Sequence, residues 1–60
     1  MGQAAVLLSK AELLDNPDPF ASVITTISSG SRVKLIERNG EWALVEYDGK
    51  KGYVYADQLR

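Results

Sequence analysis

The stretch Trp42-Ala43-Leu44-Val45-Glu46-Tyr47-Asp48-Gly49-Lys50-Lys51-Gly52-Tyr53-Val54-Tyr55 decides the fold. Two runs rich in Val, Leu, Tyr and Trp flank Asp48-Gly49. A two-residue type I′ hairpin turn needs positive φ at both central positions, and Asp-Gly supplies it. The turn sets Tyr47 opposite Lys50, Val45 opposite Gly52 and Ala43 opposite Val54. The other face then pairs Glu46 with Lys51, Leu44 with Tyr53 and Trp42 with Tyr55. One face is small and aliphatic; the other is charged at one end and aromatic at the other.

Upstream, Arg32–Glu37 reads as a third strand, reached through Arg38-Asn39-Gly40. A two-residue Asn39-Gly40 turn sets Val33 against Glu46 and mixes charge with aliphatic groups. A three-residue loop with Gly40 in a left-handed bulge shifts the pairing by one residue. Val33 then faces Val45 and Leu35 faces Ala43. Because a one-residue slip exchanges the faces, the burial pattern selects the bulged loop. That register predicts a core side of Val33, Leu35, Ala43, Val45, Gly52 and Val54. It predicts an outer side with an Arg32–Glu46–Lys51 charge ladder and an apolar corner of Ile36, Trp42 and Tyr55.

Turn signals continue toward the amino terminus at Ser28-Ser29-Gly30-Ser31 and Asn16-Pro17-Asp18-Pro19. The segments between them are short and β-prone, as in a sandwich or barrel. The predicted strands are Ala4–Ser9, Ser22–Ile27, Arg32–Glu37, Glu41–Tyr47 and Lys50–Tyr55. Ala11–Leu14 adds a short extended piece, and Ala56-Asp57-Gln58-Leu59 suits one 3₁₀ turn that drops Leu59 inward. Val6, Leu8, Leu13, Ile24, Ile27 and Leu59 are expected to close over the core side. A helix over Ala4–Leu14 is the competing reading, since Ala, Leu, Glu and Lys favour helix. It ranks second, because an eleven-residue helix would have to pack on a sheet already near full size.

Sixty residues make one domain, 1–60, and the hydrophobic content of 45% is enough for a core. With no Cys and no His, neither a disulfide nor a zinc site is expected to support it. Seven Lys/Arg against eight Asp/Glu argue against a nucleic-acid partner, which needs a basic face. No apolar run approaches the roughly 18 residues of a membrane span. The opening Met1-Gly2-Gln3-Ala4-Ala5 has no charged-then-apolar order, so no signal peptide is expected. It looks like the start of a cut-out or stand-alone domain.

At this point the residues match a family. Ser29-Gly30-Ser31-Arg32-Val33, Gly40-Glu41-Trp42-Ala43-Leu44-Val45, Gly52-Tyr53-Val54-Tyr55 and the terminal Leu59 together resemble the Src-homology-3 fold. The chain looks most like the bacterial version, and Ala11-Glu12-Leu13-Leu14-Asp15-Asn16-Pro17 is similar to that group's segment ending in Gly-Pro. The resemblance implies an all-β, five-stranded barrel with a terminal 3₁₀ turn. It also implies an accessory binding domain of a larger envelope or extracellular protein. Composition chooses no compartment. The chain departs from the peptide-binding eukaryotic domains: Trp42 holds the Trp position, but Tyr55 stands where Pro would be and Gln58 where the last Tyr would be. The first loop, Leu14 to Ala21, offers Phe20 and no Tyr. Leu14 replaces the Arg usual in the bacterial segment.

Catalysis is not expected. Ser and Thr hydroxyls have no His to activate them, and a sixty-residue barrel has no cleft for paired carboxylates to work on a sugar. The glycines sit singly in turns, so no phosphate loop is present. No metal and no cofactor are expected. An aromatic cage of Trp42 with Tyr47, Tyr53 and Tyr55 is disfavoured, since Tyr47 falls on the other face. Glu12, Asp15 and Asp18 around the first loop read as solvated turn residues ahead of a basic-ligand site. The candidate ligand-binding residues are Phe20, Ile36, Trp42 and Tyr55. The expected partner is a short extended ligand, either a peptide or a peptidoglycan stem, bound weakly. The alternative is a structural or engineered barrel without a free ligand, a monomer or weak homodimer.

Overall fold

The computed structural model describes residues 2–60. Six strands form one antiparallel sheet that curls on itself: β1 (Gln3–Val6), β2 (Ala11–Leu14), β3 (Val23–Ile27), β4 (Arg32–Asn39), β5 (Trp42–Tyr47) and β6 (Lys50–Tyr55). A 3₁₀ turn, Ala56–Gln58, follows. The sheet order is β1-β4-β5-β6-β2-β3. The chain end closes β1 from its other side, through a Leu7–Leu59 bridge and reciprocal Val6–Arg60 hydrogen bonds. The all-β expectation holds, and Ala4–Leu14 is not a helix. Ala11–Leu14 is a full sixth strand that pairs with β3 along its length and with β6 at Leu14.

The β5–β6 hairpin forms in the expected register, from Tyr47–Lys50 at the turn to Trp42–Tyr55 at the far end. Asp48 and Gly49 both have positive φ, at 53° and 77°. The β4–β5 connection differs from expectation. The turn residues are Gly40 and Glu41, with Asn39 opposite Trp42, Arg38 opposite Ala43 and Glu37 opposite Leu44. Gly40 alone has positive φ, which is the type II′ requirement for Gly at the first central position. An irregularity at Ile36 then shifts the ladder, so that Leu35 opposes Val45 and Lys34 opposes Glu46. The expected Val33–Val45 and Leu35–Ala43 pairs are therefore each displaced by two residues. A shift of two preserves the faces. Val33 is buried and Leu35 packs against the core, as expected. The charge ladder runs Lys34–Glu46–Lys51, while Arg32 lies opposite Val6.

The core contains Leu13, Ile27, Ala43, Val45 and Val54, all at or below 1% exposure, with Val33 and Leu59 at its margin. Burying one such Leu or Ile stabilises the fold by about 1.5–3 kcal/mol. The first strand enters in the opposite phase to that expected. Ala5 and Leu7 are buried, while Val6 is half-buried and Leu8 is 53% exposed. Ile24 also faces out: three residues before the buried Ile27, it shares the outer face of Thr26 by strand alternation.

Gly52 marks the closest approach of β6 to β2. A Cβ there would lie 2.7 Å from the Leu14 carbonyl oxygen and 2.7 Å from Leu13 Cγ. The missing side chain lets the barrel close at that seam.

Candidate functional site

Trp42 opens β5 on the outer face of the sheet, one residue past the Gly40-Glu41 turn. It is half-buried, and its ring stacks on Tyr55 with centroids 4.3 Å apart and planes inclined by 25°. That offset stack follows from the β5–β6 register, which sets the two residues directly opposite each other. Backbone contacts fix the corner: the Ala56 N–H donates to the Glu41 carbonyl at 2.7 Å.

Beside this stack lies a cavity of about 270 Å³, lined by Pro17, Glu37, Asn39, Trp42, Leu44 and Tyr53. Three outer-face residues form its floor: Trp42 and Leu44 from β5, and Tyr53 opposite Leu44 on β6. Two walls rise from it. One is Pro17, in the loop between β2 and β3. The other is Glu37 and Asn39 at the end of β4. The Ile36 irregularity decides which β4 residues reach the cavity. Without it, the Leu35–Val45 register would set Ile36 opposite Leu44. With it, Glu37 takes that place and presents a carboxylate. Bulges next to sites re-aim side chains in this way. Glu37 is the one charged residue of the lining.

The Pro17 wall is held by its own turn chemistry. The Asp15 N–H donates to the Ser22 carbonyl at 3.0 Å and closes the loop neck. At the tip, the Phe20 N–H donates to Asp18 Oδ1 at 2.9 Å and the Ala21 N–H to the Asp18 carbonyl at 3.0 Å. Asp18 makes an Asx turn here, the role expected of it.

The structure brings together two of the four candidate residues. Trp42 and Tyr55 are in contact, as expected. Ile36 is not at their corner: the shifted register moves it to a separate cavity lined by Gln3, Leu35, Ile36, Glu37 and Arg38. Phe20 is 94% exposed and lines none of the three cavities described. Tyr53, Leu44, Pro17, Glu37 and Asn39 were not anticipated as site residues. Tyr53 and Leu44 were within reach of the sequence, since the hairpin register already placed them on the same face as Trp42. Tyr47 packs against the core, so no four-aromatic cage forms. Among the described residues no group of three or more His, Cys, Asp or Glu is arranged to hold a metal. Among the described residues no helix is long and apolar enough to cross a membrane.

An antiparallel sheet rolled into a partly open barrel, with a 3₁₀ turn before its last bridge and a Trp-floored cavity between its first long loop and the β4–β5 turn, defines the class of small Src-homology-3-like barrels. Within that class the chain belongs to the bacterial SH3 domain family, whose model matches residues 9–60. The solved structure of NlpC2 from Trichomonas vaginalis is similar in fold, with a TM-score of 0.94 at 20% identity. The match covers 100% of this chain and 23% of that one. No curated protein matches the chain.

Proposed function

We propose that this domain is a non-catalytic binding module whose ligand is a short extended peptide, such as a peptidoglycan stem, lying in the cavity floored by Trp42, Leu44 and Tyr53. One observation carries the reading: a half-exposed indole, braced from behind by Tyr55, lines a concave surface with two further apolar side chains and a proline wall. Trp and Tyr give large contact area for little lost side-chain freedom, and such anchors dominate small interfaces. The cavity is small, so affinity is weak and the module serves by tethering whatever it is attached to. Glu37, alone among the lining residues in carrying charge, favours a ligand with an ammonium group over that wall.

The test is a titration followed by Trp42 fluorescence, using peptidoglycan stem peptides and an array of extended peptides. Ligands are expected to shift the emission. Tyr53→Ala is expected to weaken binding by about tenfold or more, in line with loss of an aromatic anchor. Trp42→Ala, read by calorimetry because the fluorophore is gone, should abolish it. Circular dichroism confirms that each variant is folded. Unchanged binding in both variants removes the site. No response from any ligand class removes the reading.

A further inference from the structure

β3 ends the sheet and pairs only with β2. The strand at the other end, β1, is met on its far side at Val6 by Arg60, and the two residues that follow it, Leu7 and Leu8, by Leu59 and Gln58. Natural sheet ends are usually guarded by Lys, Pro, charge or bulges. β3 reads Val23-Ile24-Thr25-Thr26-Ile27 and holds no charge, no Pro and no Gly. No charged residue occurs anywhere from Phe20 to Ser31. The one guard is the extra residue at Ile24, which leaves Thr25, Thr26 and Ile27 in regular register with Leu13, Glu12 and Ala11.

The exposed large hydrophobics point to the same edge. They are Leu8, Phe20, Val23, Ile24 and Tyr55. Val23 and Ile24 are on β3, and Phe20 lies three residues before it. Leu8 adjoins the turn just after β3, where Ser29 Oγ donates to the Leu8 carbonyl and the Gly30 N–H to the Leu7 carbonyl. Only Tyr55 belongs to the cavity corner.

We infer that β3 is a self-pairing edge, through which two copies of this chain join antiparallel about a two-fold axis at Thr25. In that register the backbone of Val23 lies opposite that of Ile27 of the second copy, whose side chain stays in its own core, and Ile24 lies opposite Thr26. It carries Phe20 to the second copy's Ser28–Ser31 turn, beside its exposed Leu8. The contact is isologous, so the Phe20–Leu8 meeting occurs twice. Charge permits it. The nearest carboxylate, Glu12, sits one strand in, so the two copies hold theirs about 14 Å apart, at three strand spacings. That exceeds the Debye length of roughly 8 Å at physiological salt. Asp15 and Asp18 lie in loops that an antiparallel pair sends to opposite ends. A second copy therefore meets a neutral edge with a neutral edge. Phe20 brings about 200 Å², which is small against the roughly 800 Å² per partner of a standard interface. The dimer is accordingly weak and depends on concentration.

Sedimentation equilibrium from about 20 µM to about 1 mM, spanning weak affinities, reads the outcome directly. The mass is expected to rise from 6.6 kDa toward twice that value. Amide shifts on dilution are expected at residues 20–31 and Leu8. Phe20→Ser and Thr26→Lys change exposed side chains and should leave the melting curve in place. Each is expected to weaken dimerisation by tenfold or more. A 6.6 kDa mass throughout overturns the inference. So do a dimer indifferent to both variants, dilution shifts centred on Trp42 and Tyr55, and a monomer that takes an unrelated extended peptide onto β3.

Discussion

At the residue scale, the strongest constraint is the absence of a side chain at Gly52. The atoms that a methyl would meet include a backbone carbonyl, which cannot swing aside as a flexible side chain can. Gly52→Ala is expected to cost about 1–3 kcal/mol, as overpacking does, and to lower the melting temperature by about 4–8 °C per kcal/mol in a domain this small. Val45, fully enclosed, gives the complementary test. Val45→Ala removes buried methyl groups without collapse of the site and should cost about 1–3 kcal/mol in urea unfolding. A loss within the ±0.5 kcal/mol typical of surface changes would mean that the position is not core. Both positions were legible in the sequence, because the Asp48-Gly49 turn places them opposite each other on the aliphatic face. Val6 and Leu8 were not. In Val6-Leu7-Leu8 three consecutive residues are apolar, so alternation gives no phase. Only the bridge from Leu7 to Leu59 selects the residue that goes inward.

At the element scale, the contrast between the two hairpins is instructive. Asp48-Gly49 admits one turn, and every pair of β5–β6 follows from it. Arg38-Asn39-Gly40-Glu41 admits several, because a single Gly with positive φ fits the last position of a bulged loop as well as the first position of a two-residue turn. The structure takes the latter and restores the faces with a bulge at Ile36. Burial patterning identified the correct face of Val33 and Leu35 but could not detect a displacement of two residues, which leaves the faces unchanged. The candidate site suffered more than the core. Moving the bulge from the loop to Ile36 exchanges Ile36 for Glu37 in the cavity. Deleting Ile36, the extra residue between the Leu35–Val45 and Glu37–Leu44 pairs, is therefore expected to leave a regular ladder with Glu37 still opposite Leu44 at the cavity wall. Amide cross-strand contacts measured by NMR would then show the Leu35–Val45 and Glu37–Leu44 pairs adjacent and unbroken; Glu37 opposite any other residue would overturn this account of the bulge. Glu37→Gln leaves the backbone alone and is expected to weaken ammonium-bearing peptides about two- to fivefold, as befits one exposed charge. Neutral peptides should bind as before, and high salt should erase the difference.

At the scale of the whole molecule, the core is drawn from every strand, and the sequence has no Cys to supplement it with a disulfide. Unfolding is expected to be two-state, with far-ultraviolet dichroism and Trp42 fluorescence changing together. The closure explains why: β1 is held by β4 on one side and by the chain end on the other, so neither end of the sequence can leave without opening the barrel.

That closure also has a mechanical side. The Arg60 N–H donates to the Val6 carbonyl at 2.9 Å, and the Val6 N–H to the Arg60 carbonyl at 3.2 Å. The two strands run antiparallel there, so the polypeptide enters and leaves from the same end of the pair. A tether pulling on both termini loads these bonds singly, like the teeth of a zip, and not side by side in shear. Pulled through both termini, the domain is expected to yield at lower tension than one whose terminal strands are loaded in shear, which single-molecule force measurements would read.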